Sequence, residues 1–376
     1  MFNEIKRVVS VGVFTCFVIS AFAAHKAIEV AVFAGVGARS NGCVEWFRLV
    51  NSSPEMNLTL LDANDIRSGA LKNVDLLVMP GGSSATIKKD LKPEGAEKLK
   101  DFIRNGGGYI GTCAGCCLMM EEQADVTRGI SVMPYGRLGS KGKFMMPLAV
   151  NKKGAEAMGV EEGEYKVRYS SGPVLYPTTN VIEGANFEVW ATYASDFDTP
   201  KNKLVMNGNA AIVGGTYGKG RVFAIACHPE NFPVTHFLVR AAFRYVTGRE
   251  VTFPPRFRAN RALTVGFFSQ VIQGKEVAKT IVALDNLREV DLFPIAEYEI
   301  DTGMLDHIDW LVLPDGTAKR YESTYVKKTD FIKGFISRGG RIAAWGEGVK
   351  HLPKDGKACD SGDDLVRFFE AESQKR

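Results

Sequence analysis

Three short segments of this 376-residue chain recur in the same order. Lys26-Ala-Ile-Glu-Val-Ala-Val-Phe returns as Arg261-Ala-Leu-Thr-Val-Gly-Phe-Phe, an offset of 235 residues. Asp75-Leu-Leu-Val-Met-Pro-Gly-Gly returns as Asp309-Trp-Leu-Val-Leu-Pro-Asp-Gly, an offset of 234. Phe102-Ile-Arg-Asn-Gly-Gly-Gly-Tyr returns as Phe335-Ile-Ser-Arg-Gly-Gly-Arg-Ile, an offset of 233. Near-constant spacing of this kind marks an internal duplication, here with a shorter second copy. The fold must therefore be one that a single unit of this pattern can build twice.

The pattern is strand and helix in alternation. Ile28 to Ala34 and Asp75 to Met79 are short apolar runs that end at glycine or proline, as strands buried on both faces do. Leu58 to Leu61 is a third such run. Helices are expected over Val44–Val50 and Glu94–Arg104, the latter closed by Asn105-Gly106-Gly107. Gly35 to Gly42 reads as the loop into the first of them. This argues for an α/β fold, a flavodoxin-like parallel sheet with helices on both faces, followed by the shorter degenerate copy. From about Val150 the texture becomes β-rich, and Thr216-Tyr217-Gly218-Lys219-Gly220 reads as a hairpin turn between Ala210–Gly215 and Arg221–Ala226. A helix over Val234–Val246, stopped by Gly248, closes the unit. The expected organisation is a leader at 1–23, a first domain at 24–250, a proline-bearing linker at 251–260 and a second domain at 261–376.

Lys6 and Arg7 precede an almost unbroken apolar run from Val8 to Ala24 that ends in Ala21-Phe22-Ala23. A basic start, an apolar middle and a small-x-small end predict a cleaved signal peptide, hence export to the periplasm or beyond. No later stretch is apolar enough to anchor the chain, so no membrane partner is expected after cleavage. The net charge is +4, with Lys and Arg scattered, which argues against a nucleic-acid partner.

Beyond the leader lie six cysteines, and Cys113, Cys116 and Cys117 crowd into one stretch. That is the mark of a site more than of a disulfide framework. Gly111-Thr112-Cys113-Ala114-Gly115 follows a strand and precedes a helix. A nucleophile on such a turn sits in a strained backbone, with small neighbours making room. The helix amides behind it favour thiolate over thiol. The strand Arg221 to Cys227 ends in His228-Pro229-Glu230, where Glu230 can orient and charge-stabilise His228 as it takes the Cys113 proton. An extended chain would place those two side chains on the same side. Pro80-Gly81-Gly82 ends another strand, and its glycines let backbone N–H groups face an oxyanion. Cys116 and Cys117 are adjacent on a helix and point about a hundred degrees apart, which suits no zinc site. No metal or other cofactor is expected, although a reversible disulfide to Cys113 fits an oxidising compartment.

Taken together, the Pro-Gly-Gly loop, the Gly-x-Cys-x-Gly turn and the His-Pro-Glu end resemble the class I glutamine amidotransferase-like superfamily over residues 26 to 248. Gly106 to Gly115 (Gly-Gly-Gly-Tyr-Ile-Gly-Thr-Cys-Ala-Gly) and Tyr169-Ser170-Ser171-Gly172-Pro173 are most similar to the subgroup found as the N-terminal domain of biotin–protein ligases. The resemblance implies Cys113 as nucleophile, His228 as base and Glu230 as its partner. It also implies an oxyanion and pocket lining from Gly81, Gly82, Ala114, Tyr169 and Gly172. Two departures matter. Cys117 stands where glutamine-using members carry Gln, and no synthase domain follows to receive ammonia. The expected function is therefore an exported cysteine-dependent hydrolase of a small-molecule or peptide amide. The alternative is a non-catalytic small-molecule or peptide binding protein on the same fold. The second copy ends before any His-x-Glu, so it should be structural or binding.

Overall fold

The computed structural model describes residues 26–375 apart from 40, 122–128, 139–140, 200–201 and 255–261. The leader and the Pro255–Asn260 part of the expected linker lie outside the described residues.

The first unit begins with β1 (Ile28–Phe33), β2 (Met56–Leu61), β3 (Leu76–Met79) and β4 (Gly108–Thr112). Next come β5 (Tyr135–Leu138), β6 (Lys143–Val150), β7 (Gly163–Ser170), β8 (Val174–Pro177) and β9 (Ala185–Tyr193). The small hairpin β10 (Phe197–Thr199) and β11 (Asn202–Leu204) precedes β12 (Ala210–Tyr217) and β13 (Gly220–Ile225). Along the main path the sheet order is β2-β1-β3-β4-β13-β12-β9-β6-β7. From β2 to β13 the strands run parallel, and β3 and β4 are wholly buried. Beyond β13 the sheet turns antiparallel. The sheet is thus mixed rather than purely parallel. The hairpin at 217–220 reverses the chain, and the β-rich insertion extends the sheet from there.

Helix Asn41–Ser52 starts three residues before its expected first residue. The helix expected at 94–104 is the second half of a longer segment, Ser84–Arg104, interrupted at Lys92 (φ 58°). Pro93 explains the break, since it has no N–H to donate and forces the preceding residue out of the helical region. Helix His236–Thr247 ends on Gly248 in the left-handed region (φ 71°), which glycine enters without penalty.

The second unit comprises β14 (Leu263–Phe268), β15 (Val290–Ile295), β16 (Trp310–Leu313), β17 (Arg341–Ala344) and β18 (Lys357–Ala358), all parallel, in the order β15-β14-β16-β17-β18. This is the order of β2-β1-β3-β4. The register agrees as well: Val30 pairs with Leu76 as Val265 pairs with Trp310, and Leu76 with Gly108 as Trp310 with Arg341. The two units share a core, with Val277, Ile281 and Leu284 of helix Lys275–Asn286 packed into the cluster that holds Trp46 and Val50. Arg48 Nε meets Asp285 Oδ1 at 3.1 Å and Lys275 Nζ meets Asp65 Oδ2 at 2.6 Å across the same seam.

Candidate active site

Cys113 follows β4 directly and has φ 50°, a left-handed value that costs a non-glycine residue roughly 1–3 kcal/mol. Its neighbours make the turn possible. A Cβ on Gly115 would lie 2.0 Å from the Met79 carbonyl oxygen, and one on Gly111 would lie 2.7 Å from the Gly115 carbonyl. The backbone is pinned by Cys113 N–H donating to Ile225 O (2.9 Å) and by the Tyr109 hydroxyl donating to Gly115 O (2.8 Å). Trp46 Nε1–H donates to Thr112 Oγ1 at 3.2 Å, tying the preceding residue to helix Asn41–Ser52.

His228 leaves β13 alongside the end of β7, where its N–H donates to Arg168 O at 2.8 Å. Its Nδ1 lies 2.7 Å from Glu230 Oε1, and both side chains are buried. The extended geometry expected for this pair is not what joins them. Pro229–Asn231 forms a 3-10 turn that brings Glu230 back under the ring. Burial disfavours a charge on the imidazole, yet the Glu230 carboxylate, then the charge and hydrogen bond of Cys113, outweigh it and push His228 up to about 10. With Nδ1 taken by Glu230, Nε2 is the nitrogen left for sulfur. Cys113 Sγ also lies 3.8 Å from Ser170 O.

Gly42 is a site residue that sequence reasoning missed. A Cβ there would fall 2.1 Å from Glu230 Oε1 and 3.1 Å from His228 Nδ1. Being the second residue of helix Asn41–Ser52, it sets the positive end of that helix against the Glu230 carboxylate. The signal was present as the last glycine of the Gly35–Gly42 loop, but nothing local linked it to a residue 188 positions later.

Gly82 has φ 146°, and a Cβ on it would lie 2.0 Å from Gly37 O. Gly81 turns its carbonyl away, accepting from Arg39 N–H at 3.2 Å and from Cys43 Sγ–H at 3.5 Å. Among the described residues no protein acceptor takes the N–H of Gly82 or of Ala114. These amides sit at the carboxyl ends of neighbouring strands. Tyr169 and Gly172 differ from expectation. Tyr169 is fully buried, stacks on Phe144, and donates its hydroxyl to Gly172 O at 2.7 Å. A Cβ on Gly172 would meet Ala226 O at 1.9 Å, so the pair braces the wall while Ser170 faces the cavity. Cys117 lies against Arg137 (3.9 Å) and burial pushes its thiol up to about 11. Burial raises the Cys116 and Cys227 thiols well above the ordinary range too. None of the six described cysteines is in a disulfide.

A cavity of about 150 Å³ opens at His228 and Ser170. Its far wall comes from the second unit. Gln270 follows β14, Ala296, Tyr298 and Glu299 follow β15, and Arg320 follows β16. The carboxyl edges of the two sheets therefore face each other across the site, the edge where open α/β sheets bind ligands. The Arg168 guanidinium stacks over the Tyr298 ring at 3.9 Å, Lys143 Nζ approaches Glu297 Oε2 at 3.8 Å, and Ser269 bonds Asn41. None of these inter-unit partners is legible from motif or spacing.

This fold and elbow define a glutamine amidotransferase-like protein, and the comparisons agree. Residues 28–122 match the family model described as biotin-protein ligase, N terminal. The pyridoxal 5'-phosphate synthase subunit PdxT of Listeria innocua is 33% identical over 89 residues, covering 23% of this chain and 45% of that one. The PdxT of Hyperthermus butylicus is 41% identical over 56 residues, 15% of this chain and 28% of that one. The chain thus spans less than half the length of these curated relatives. Among solved structures, a glutamine amidotransferase from Thermotoga maritima aligns with a TM-score of 0.35 at 16% identity, over 58% of this chain and 84% of that one. The sequence matches support a class I glutamine amidotransferase-like superfamily for the part of the chain that they cover. The biotin-protein ligase N-terminal model is similar to this chain over a stretch that includes the elbow at Cys113.

Proposed function

We propose that the chain is a cysteine-dependent amide hydrolase, acting outside the cytoplasm once its leader is removed. The observation that carries this reading is the buried His228–Glu230 pair at 2.7 Å, its ring held cationic beside Cys113 on a strained turn. Cys113 Sγ attacks the amide carbonyl carbon, and the oxygen takes the negative charge facing the Gly82 and Ala114 amides. His228 gives its proton to the leaving nitrogen as the C–N bond breaks, leaving a thioester. Water then adds to the thioester, His228 takes a proton from it, and the carboxylic acid departs as the thiolate reforms. Glu230 holds the ring and offsets its charge throughout. Cys117 in the place of Gln, with its thiol buried, supports an amide other than glutamine. Screening the mature protein against small amides and peptides, with Cys113→Ala as control, tests the reading. Product from the wild type alone supports it. No product, together with Cys113 labelling no faster than glutathione at about pH 6, would sink it.

A further inference from the structure

The cavity at His228 and Ser170 is lined by an excess of positive charge. Arg39, Lys143, Arg168 and Arg320 reach its wall, against the single carboxylate of Glu299. Lys143 has Glu297 nearby. The three guanidiniums have no carboxylate or hydrogen-bond acceptor among the described residues. Arg168 is only 6% exposed, and its guanidinium lies over the face of Tyr298. A buried cation without an anion is costly, so this arrangement is one that a ligand would complete. Arg39 and Arg320 are half-buried and repel each other; burial, then that like charge, pull Arg39 down to about 10. Burial lowers Arg320 as well.

We propose that the substrate is a small amide bearing a free carboxylate, which Arg39, Arg168 and Arg320 clamp while its amide reaches Cys113. This deepens the hydrolase reading and rests on it only for the amide half. Stacking of Arg168 on Tyr298 uses the face of the guanidinium and leaves its N–H edges for in-plane contact, the geometry that suits a carboxylate. Glu299 in the same wall disfavours a phosphate dianion. The cavity's 150 Å³ is the liquid volume of about five waters, room for a small group beside the anion. Because Tyr298 and Arg320 belong to the second unit, that unit becomes the specificity half of the site.

The test uses the full mature chain and two probes of similar size, iodoacetate and neutral iodoacetamide, with Cys113 modification followed by mass spectrometry. The iodoacetate-to-iodoacetamide rate ratio should exceed that of glutathione by roughly tenfold. It should fall several-fold in Arg320→Gln and Arg39→Gln, two positions where replacement leaves the core intact. A ratio equal to that of glutathione, or unchanged in both variants, overturns the proposal. A second arm needs no reactive cysteine. N-acetylglycine, an amide with one carboxylate, should raise the Tm of Cys113→Ala by about 3 °C near saturation, and neutral N-acetylglycinamide should not. Loss of that rise in Arg320→Gln supports the clamp, and absence of any rise overturns it. A larger rise with inorganic phosphate overturns the choice of carboxylate. If Cys113 is inert to both reagents while the Tm response holds, the hydrolase reading fails and the anion site stands. If amides are hydrolysed without anion preference, the reverse is true.

Discussion

The two α/β units have one backbone plan, and they differ in a few side chains around the turn that follows the fourth strand of each. At the place of Cys113 (φ 50°) the second unit has Gly346 (φ 57°), so the turn persists after the nucleophile is gone. Gly346 is also 233 residues after Cys113, the offset of the third repeated segment. Gly115 and Gly348 are equally constrained: a Cβ on the first would lie 2.0 Å from Met79 O, and on the second 2.2 Å from Leu313 O. What changes is the loop opposite. Pro80-Gly81-Gly82 becomes Pro314-Asp315-Gly316, and the Asp315 carboxylate accepts the N–H of Glu347 at 2.9 Å. Glu347 stands where Ala114 stands in the first unit, so the amide left without a protein acceptor there is occupied here. The turn is therefore a property of the packing, and the chemistry is added to it by Cys113, an open amide and a His-x-Glu turn.

The largest effect expected is on the nucleophile. Cys113→Ala should lower amide turnover by at least about a thousandfold with the fold unchanged. Gly346→Cys in that background should restore nothing, because its Cβ would meet Asp315 Oδ1 at 2.3 Å. Recovery of activity in the double variant, read by the same product assay, would break the comparison at its root.

Next comes Gly42→Ala. Its methyl group must displace Glu230, so the rate should drop by about a hundredfold, with roughly 1–3 kcal/mol lost in chemical denaturation. If the rate fell only in proportion to the fraction unfolded, Gly42 would be a packing residue and nothing more.

What the chain announces and what it conceals follow from range of interaction. The strand Leu76–Met79 and the Gly-x-Cys-x-Gly turn are local patterns, because burial on both faces and a strained turn each restrict a few adjacent residues. The repeat was legible because both copies keep the same buried strands and the same helix-ending glycines, Gly107 packed on the Phe102 ring and Gly340 on the Phe335 ring. The kink at Lys92 had its signal in Pro93, which a purely periodic reading of the helix passes over. Arg39, Arg168, Tyr298 and Arg320 gave none. Each is unremarkable in its own segment and acquires a role only when two sheets meet edge to edge. Tyr169 shows the converse: the motif singles it out, yet its hydroxyl is spent on Gly172, so its part is to shape the wall.

The histidines of the two units offer a subtler contrast. His228 is raised to about 10, above its unfolded value of about 6.5. It therefore contributes stability that is full below about pH 6.5 and is lost as pH climbs toward 10. His351 in the second unit stacks on Tyr321 at 4.3 Å, and burial lowers it. Its contribution is present above about pH 6.5 and is lost as pH falls. Denaturation midpoints should accordingly lose their alkaline slope in His228→Gln and part of their acid slope in His351→Gln. Matching slopes in wild type and His228→Gln would contradict a cationic ring beside Cys113.

The smallest effect is expected where the units touch through exposed charge. Lys143 and Glu297 lie 3.8 Å apart with about a third of each side chain in water, so solvent and salt screen the pair. Glu297→Gln should cost no more than about 0.5 kcal/mol in urea titration and leave the unfolding transition single. Apolar packing, chiefly Val277, Ile281 and Leu284 against the first unit, carries the association instead. Removing this carboxylate also frees Lys143 beside the guanidinium cluster, which should, if anything, strengthen the preference for an anionic probe. A large loss of stability with a split transition would mean that the units are held by charge, and that the specificity wall can swing away from the triad on its own.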